Sequence, residues 1–169
     1  MEFYDLIKQR YSVRSYKSQP VEEDKLQRIL EAANMAPTAA NRQSFQLIVI
    51  HTSGKEEQLL KVYPKPWFAQ APLVICACGI PRENWVRKDG KNYNDVDVAI
   101  VLDHLILAAA NEGLGTCWIG AFDPEAACPV FGLPEGVEPI ALTPIGYPDD
   151  QLRAKKRKGV AALVRYERW

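Results

Sequence analysis

The chain is short of the residues from which most catalytic and metal centres are built. His51 and His104 are its only histidines in 169 residues, so no paired-histidine metal motif can form, and neither a Walker loop nor a nucleophile elbow is present. Cysteine is scarce too, with Cys76, Cys78, Cys117 and Cys128 all in apolar surroundings. They are too few for a disulfide scaffold in a chain of this size, and the Cys76-Ala77-Cys78 spacing does not suit a zinc knuckle, so they read as reduced core thiols. Net charge is absent, since Lys+Arg and Asp+Glu both total 21. No global field recruits nucleic acid or a membrane surface, and any electrostatic recognition has to be local. No apolar run reaches the length of a membrane span, and Met1-Glu2-Phe3-Tyr4-Asp5 lacks the basic start of a signal peptide. The expectation is a cytoplasmic protein with neither nucleic acid nor membrane as partner.

What is present is one domain's worth of alternating helix and strand signals over residues 1–169. Residues 2–9 and 22–35 read as helices. The second has Glu22, Glu23 and Asp24 at its positive end and Leu26, Ile29, Leu30 and Ala33 on one face. The β-branched run Phe45–His51 reads as a strand, followed by a short charged helix near 54–61. Leu73–Cys78 is apolar on both faces and so belongs at the centre of a sheet covered by helices on each side. A helix from 95 to 113 is apolar almost all round and has to be buried in the core or against another subunit. Asp97, His104 and Asn111 interrupt it every seven residues, and the spacing favours an interface or solvent-facing strip over a catalytic triad. Thr116–Phe122 reads as a strand running into a helix that opens at Asp123-Pro124. Val137–Ile145 and the last ten residues read as further extended segments.

Gly113-Leu114-Gly115 resembles a dinucleotide fingerprint only superficially. The segment leaves a helix for a strand, the reverse of a Rossmann phosphate loop, and Trp118 stands where the third glycine belongs, so Gly113 is assigned as a helix C-cap.

Charge does cluster in two places. Arg10-Tyr11-Ser12-Val13-Arg14-Ser15-Tyr16 sets two arginine forks around a hydroxyl, a donor set suited to phosphate. Arg153-Ala154-Lys155-Lys156-Arg157-Lys158 admits three readings: a solvated charge run, a nucleic-acid tail, or the other half of an anion clamp. Zero net charge and the absence of an aromatic-interleaved basic face count against the second.

In order and spacing, these two segments together with Ala36-Pro37-Thr38-Ala39-Ala40-Asn41-Arg42-Gln43 and Gly113-Leu114-Gly115-Thr116-Cys117-Trp118-Ile119-Gly120 resemble the FMN-dependent nitroreductases over essentially the whole chain. The resemblance implies an α+β fold with a mixed β-sheet flanked by helices, in an intertwined homodimer with C-terminal strand exchange and two FMN sites at the interface. It also implies that Arg10 and Ser12, beside Tyr11 and with Lys155 and Arg157, hold the FMN phosphate, and that Arg14 lies near the pyrimidine edge of the flavin. Pro37, Thr38, Ala39 and Asn41 of the other subunit would line the flavin and its ribityl chain. Backbone groups at Trp118, Ile119 and Gly120 would approach the ring.

The implied activity is transfer of hydride from NAD(P)H through FMN to nitroaromatic, quinone or similar acceptors by a ping-pong mechanism, with no side chain acting as acid or base. A flavin carrier or redox sensor without turnover, or a specialised member such as a reductive dehalogenase, is the alternative. Ser44-Phe45 departs from the Pro-Trp of many members. In a chain this short, Trp67, Trp85 and residues 83–94 become the candidates for shaping the acceptor pocket.

Overall fold

Leu73–Gly79 is buried at every position, and the rest of the fold is arranged around that strand. A computed structural model describes residues 2–152 and 154–169; Arg153, the first residue of the basic segment, and Met1 lie outside it. The elements are α1 (Phe3–Gln9), α2 (Glu23–Asn34), β1 (Phe45–His51), α3 (Glu56–Val62), α4 (Pro66–Gln70), β2 (Leu73–Gly79), α5 (Asn94–Asn111), β3 (Gly115–Thr116), α6 (Pro124–Phe131), β4 (Glu138–Gly146) and α7 (Val160–Leu163). Single 3₁₀ turns lie at Ala39–Asn41 and Pro81–Glu83. No helix among these residues is long and apolar enough to cross a membrane.

The strands form one sheet in the order β1-β2-β4-β3. Successive side chains of β2 point to opposite faces. Leu73, Ile75 and Ala77 enter one core with Leu26, Ile29 and Ala33 of α2 and Val98, Val101, Leu102 and Leu105 of α5. Val74, Cys76 and Cys78 enter another with Leu59 and Val62 of α3, Phe68 of α4 and Ala127 and Phe131 of α6. Both faces are thus covered by helices, as the apolar run of β2 requires. The four cysteines are free thiols. The Cys76 thiol is held well above the ordinary range by its hydrogen bond with Cys78 and by burial.

The helix ends follow the local chemistry. Asp123 Oδ1 accepts from the amides of Glu125 and Ala126 (2.9 and 3.1 Å), with Pro124 in the first turn of α6. Gly113, at φ +78°, ends α5 with the Leu114 amide donating to Ala109 O (2.9 Å) and its own to Ala110 O (3.1 Å). That is the paired-bond helix stop that a left-handed glycine permits.

Three expectations need correction. The α+β fold is present, but all the sheet's ladders are antiparallel, and the parallel component is the single Ser12–Thr116 bridge. The expected strand from Thr116 to Phe122 pairs only at Gly115–Thr116 and again at the Ile119–Leu142 bridge. Continuing that register sets Cys117 opposite Pro144, which has no N–H to give the ladder. The C-terminal segment is not a strand either. Residues 160–163 form one helical turn and the flanking described residues pair with no strand; Ala161, Ala162 and Leu163 favour helix. Val160, Leu163, Tyr166 and Trp169 are left exposed.

Candidate functional site

The chain leaves α1 at Arg10, whose amide still donates to Leu6 O, and then runs extended across the end of the sheet. The Val13 amide donates to Thr116 O (2.9 Å), and the Lys17 amide to Tyr147 O (2.9 Å). Val13 is buried with Tyr16 and Ala71, so the residues alternating with it, Ser12 and Arg14, face outward. Tyr16 donates its hydroxyl to Val13 O (3.0 Å), which locks the turn. Gly115 is what lets the two segments meet, since a Cβ there would lie 2.5 Å from Val13 Cγ2 and 2.9 Å from its Cβ.

This stitching opens a cavity of about 350 Å³ that gathers Arg10, Ser12, Arg14, Lys155, Lys156 and Arg157, with Tyr11 in its wall. Residues from the two ends of the chain, singled out separately in the sequence, thus meet in one place. Among the described residues, Arg10, Arg14, Lys155 and Arg157 form no ion pair. The crowding shows in Lys155, whose ammonium titrates below its ordinary range, through burial first and then repulsion by Arg10 and Arg157. Its Nζ donates to Ile7 O (2.9 Å) and Lys8 O (2.5 Å), which ties the basic segment to the last turn of α1. Cys117 lies beneath the cluster. Burial raises its thiol, against the fields of Arg14 and Arg10 and a hydrogen bond with Ser12.

Asp150 also lines this cavity and was not singled out in the sequence. Its Oδ1 accepts from the Tyr11 hydroxyl (2.9 Å) and its Oδ2 from the Arg14 amide (2.8 Å). Burial and this carboxylate push the Tyr11 phenol up to about 12. Nothing in the local pattern distinguishes Asp150 from Asp149; only the return of the chain past Tyr11 does.

A second cavity, of about 360 Å³, is formed by Pro37, Thr38 and Ala39 facing Trp85, Val96 and Ile100. Trp85 stands edge-on to Tyr93 with ring centres 5.0 Å apart. The loop that supplies one wall holds three non-glycine residues in the left-handed region, Ala40, Asn41 and Gln43 at φ 50°, 52° and 50°. Asn enters that region readily, whereas Ala and Gln do so at a cost that surrounding contacts have to meet. Thr38 Oγ1 accepts the Gln43 amide (3.0 Å), and Asp97 Oδ1 accepts the Ala39 amide (2.9 Å). Asp97 is buried, so of the two expectations for Asp97, His104 and Asn111, an interface or a solvent-facing strip, the solvent-facing one does not hold at its first member.

One chain therefore assembles Arg10, Tyr11, Ser12, Arg14, Lys155 and Arg157, and separately Pro37, Thr38 and Ala39. Asn41, Trp118, Ile119 and Gly120 line neither cavity. Trp118 is 40% exposed, and space beside Gly120 is open. Of the two aromatic candidates for an acceptor pocket, Trp85 lines the second cavity, whereas Trp67 packs edge-on against Tyr63 and borders the cores around Phe68 and Val13.

The model of the nitroreductase family matches residues 7–65 and 55–147. In sequence the chain is 30% identical over 159 residues to a Methanothermobacter thermautotrophicus protein that carries an NADH dehydrogenase/NAD(P)H nitroreductase name, with 88% of this chain and 78% of that one covered. It is 29% identical to the FMN reductase [NAD(P)H] of Bacillus subtilis, with 86% and 66% covered. In structure it matches a nitroreductase family protein of Clostridium difficile with a TM-score of 0.91, at 37% identity over the whole of both chains. A nitroreductase family protein of Clostridium novyi NT matches with a TM-score of 0.82 at 31% identity, covering 89% and 87%. The chain belongs to the nitroreductase family.

Proposed function

We propose that this chain is an FMN-dependent NAD(P)H oxidoreductase that passes hydride to nitroaromatic, quinone or similar electron-poor acceptors by a ping-pong mechanism. The observation that carries the reading is the cavity in which five cations, Arg10, Arg14, Lys155, Lys156 and Arg157, none of them in an ion pair among the described residues, meet the Ser12 hydroxyl, with Asp150 the one carboxylate in the wall. Such a set is costly to keep together unless an anion neutralises it, and its forks and hydroxyl match a phosphate monoester. The names of the relatives, FMN reductase and NAD(P)H nitroreductase, supply the cofactor and the electron donor.

In this reading Arg10, Ser12, Lys155 and Arg157 hold the phosphate of FMN, and Tyr11, fixed by Asp150, closes the wall beside them. FMN held there would supply the hydride chemistry between a nicotinamide donor and the second substrate. Arg14 is turned outward with its amide tied to Asp150. There it offers a fixed positive charge to the pyrimidine edge, which favours the reduced flavin. Pro37, Thr38, Ala39 and Asn41 serve the flavin bound by a second copy of the chain, with Trp118, Ile119 and Gly120 near the ring. This assignment is supported by the separation of the two cavities within one chain.

A homodimer also accounts for apolar surface that one chain leaves bare. Val96 and Ile100 of α5 are each 36% exposed, and the tail presents Val160, Leu163 and Trp169. The second cavity, walled by Trp85, receives the acceptor.

Steady-state oxidation of NADH and NADPH with menadione tests the proposal. Parallel double-reciprocal lines on varying both substrates are the expected result. FMN-loaded protein with no turnover on either nicotinamide would instead be a carrier or sensor.

A further inference from the structure

Asp97 lies in the first turn of α5 and is 3% exposed. It forms no ion pair among the described residues. Oδ1 takes the Ala39 amide at 2.9 Å, while the buried Oδ2 has no hydrogen-bond partner. A carboxyl group in such a position is costly, and an apolar residue of similar size would fill the space at less cost. Its one hydrogen bond identifies what it does there. The loop it reaches contains three left-handed non-glycine residues in four positions, and at Ala40 and Gln43 that conformation carries a cost which surrounding contacts have to offset.

Apart from the Phe45 amide, which donates to Gln43 O (2.9 Å) where β1 begins, the loop's own bonds do not relate it to the rest of the molecule. Thr38 Oγ1 to the Gln43 amide, Thr38 O to the Asn41 amide and Ala39 O to the Arg42 amide are all internal. The Asp97–Ala39 bond is the one hydrogen bond found between residues 37–43 and α5 among the described residues. Val96 and Ile100, on the facing wall of the second cavity, stand on that same helix, so this bond runs from one wall to the other.

We propose that Asp97 is a positioning residue: through the Ala39 amide it fixes the strained 37–43 loop against α5 and thereby holds the second cavity open. The consequence for cofactor binding rests on the reading that this loop borders the flavin.

Two full-length variants separate the role from mere burial. Asp97→Asn keeps an oxygen acceptor for the Ala39 amide, whereas Asp97→Leu fills the volume without one. In the flavin-free protein, hydrogen exchange at the Ala39 amide should be at least tenfold slower than in an unstructured chain. It should stay within threefold of that rate in Asp97→Asn and lose tenfold or more of its protection in Asp97→Leu. The wild-type measurement decides even if Asp97→Leu does not fold, because an Ala39 amide exchanging at the unstructured rate overturns the proposal. Equal protection in the wild-type protein and Asp97→Leu, or equal loss in both variants, overturns it as well. In FMN titrations of the same proteins, Asp97→Leu should bind at least tenfold more weakly and Asp97→Asn within threefold of wild type. Because the exchange measurement needs no flavin, lost Ala39 protection with unchanged FMN affinity would overturn only the placement of the loop at the flavin.

Discussion

Val13 and Gly115 approach so closely that a methyl group on the glycine would sit 2.5 Å from the valine's Cγ2. The contact joins the segment carrying Arg10, Ser12 and Arg14 to β3, and the adjoining bond from the Val13 amide to Thr116 O fixes its register. The geometry of the cationic cavity therefore depends on a residue that touches no ligand.

Gly115→Ala is expected to force Val13 outward. Overpacking of a buried contact of this kind costs about 1 to 3 kcal/mol, and the shift carries Ser12 with it. Urea denaturation should show the loss of stability, and FMN titration should show weaker binding in the variant that remains folded. Unchanged stability would mean that the two segments adjust without cost.

Tyr11 gives the protein an alkaline liability. Its phenol is raised from the ordinary 10 to about 12, by burial first and then by Asp150. A folded state that keeps its proton longer than the unfolded chain loses stability as the unfolded chain ionises. The contribution is complete below pH 10 and is lost between pH 10 and about 12. Tyr16, also raised by burial, works in the same direction. Denaturation midpoints measured from pH 8 to 12 should fall less steeply in Tyr11→Phe than in the wild-type protein.

Trp85 and Trp67 should separate cleanly. Trp85→Ala removes one wall of the second cavity and is expected to raise KM for planar quinones by about tenfold, the loss of roughly 1.4 kcal/mol of stacking and burial, with FMN affinity unchanged. Trp67→Ala removes a ring that borders two cores and should cost about 3 kcal/mol of stability. Acceptor kinetics and thermal melts of the two variants check both expectations.

The parts of this molecule that could be read along the chain are those decided by local chemistry. The continuous apolar run Leu73–Cys78, the cap at Asp123-Pro124 and the left-handed stop at Gly113 each depend on a few neighbouring residues, and each stands where expected. The two charged segments stand out by residue type, the family resemblance selects Arg10, Ser12, Lys155 and Arg157 from them, and the fold brings these four into one cavity.

What could not be read depended on pairing at a distance. The strand expected through Thr116–Phe122 is interrupted by the lack of an N–H on Pro144, in a different strand. The tail of residues 159–169 reads as extended along the chain, yet Val160–Leu163 forms a helical turn. Asp97 looked like part of a polar strip because periodicity reports a helix's faces but not what packs on them, and the amide that needed Asp97 is 58 residues away.

The central claim is that the cation cluster is a phosphate site, and titration of FMN and riboflavin into the wild-type protein and Arg10→Ala/Arg157→Ala tests it most directly. Two charge-assisted contacts, each worth about 1.5 to 3 kcal/mol, are removed. FMN should therefore bind at least a hundredfold more weakly to the double variant, while riboflavin, which has no phosphate, should change little. An equal loss for both flavins would contradict the assignment, as would a wild-type protein that takes up neither.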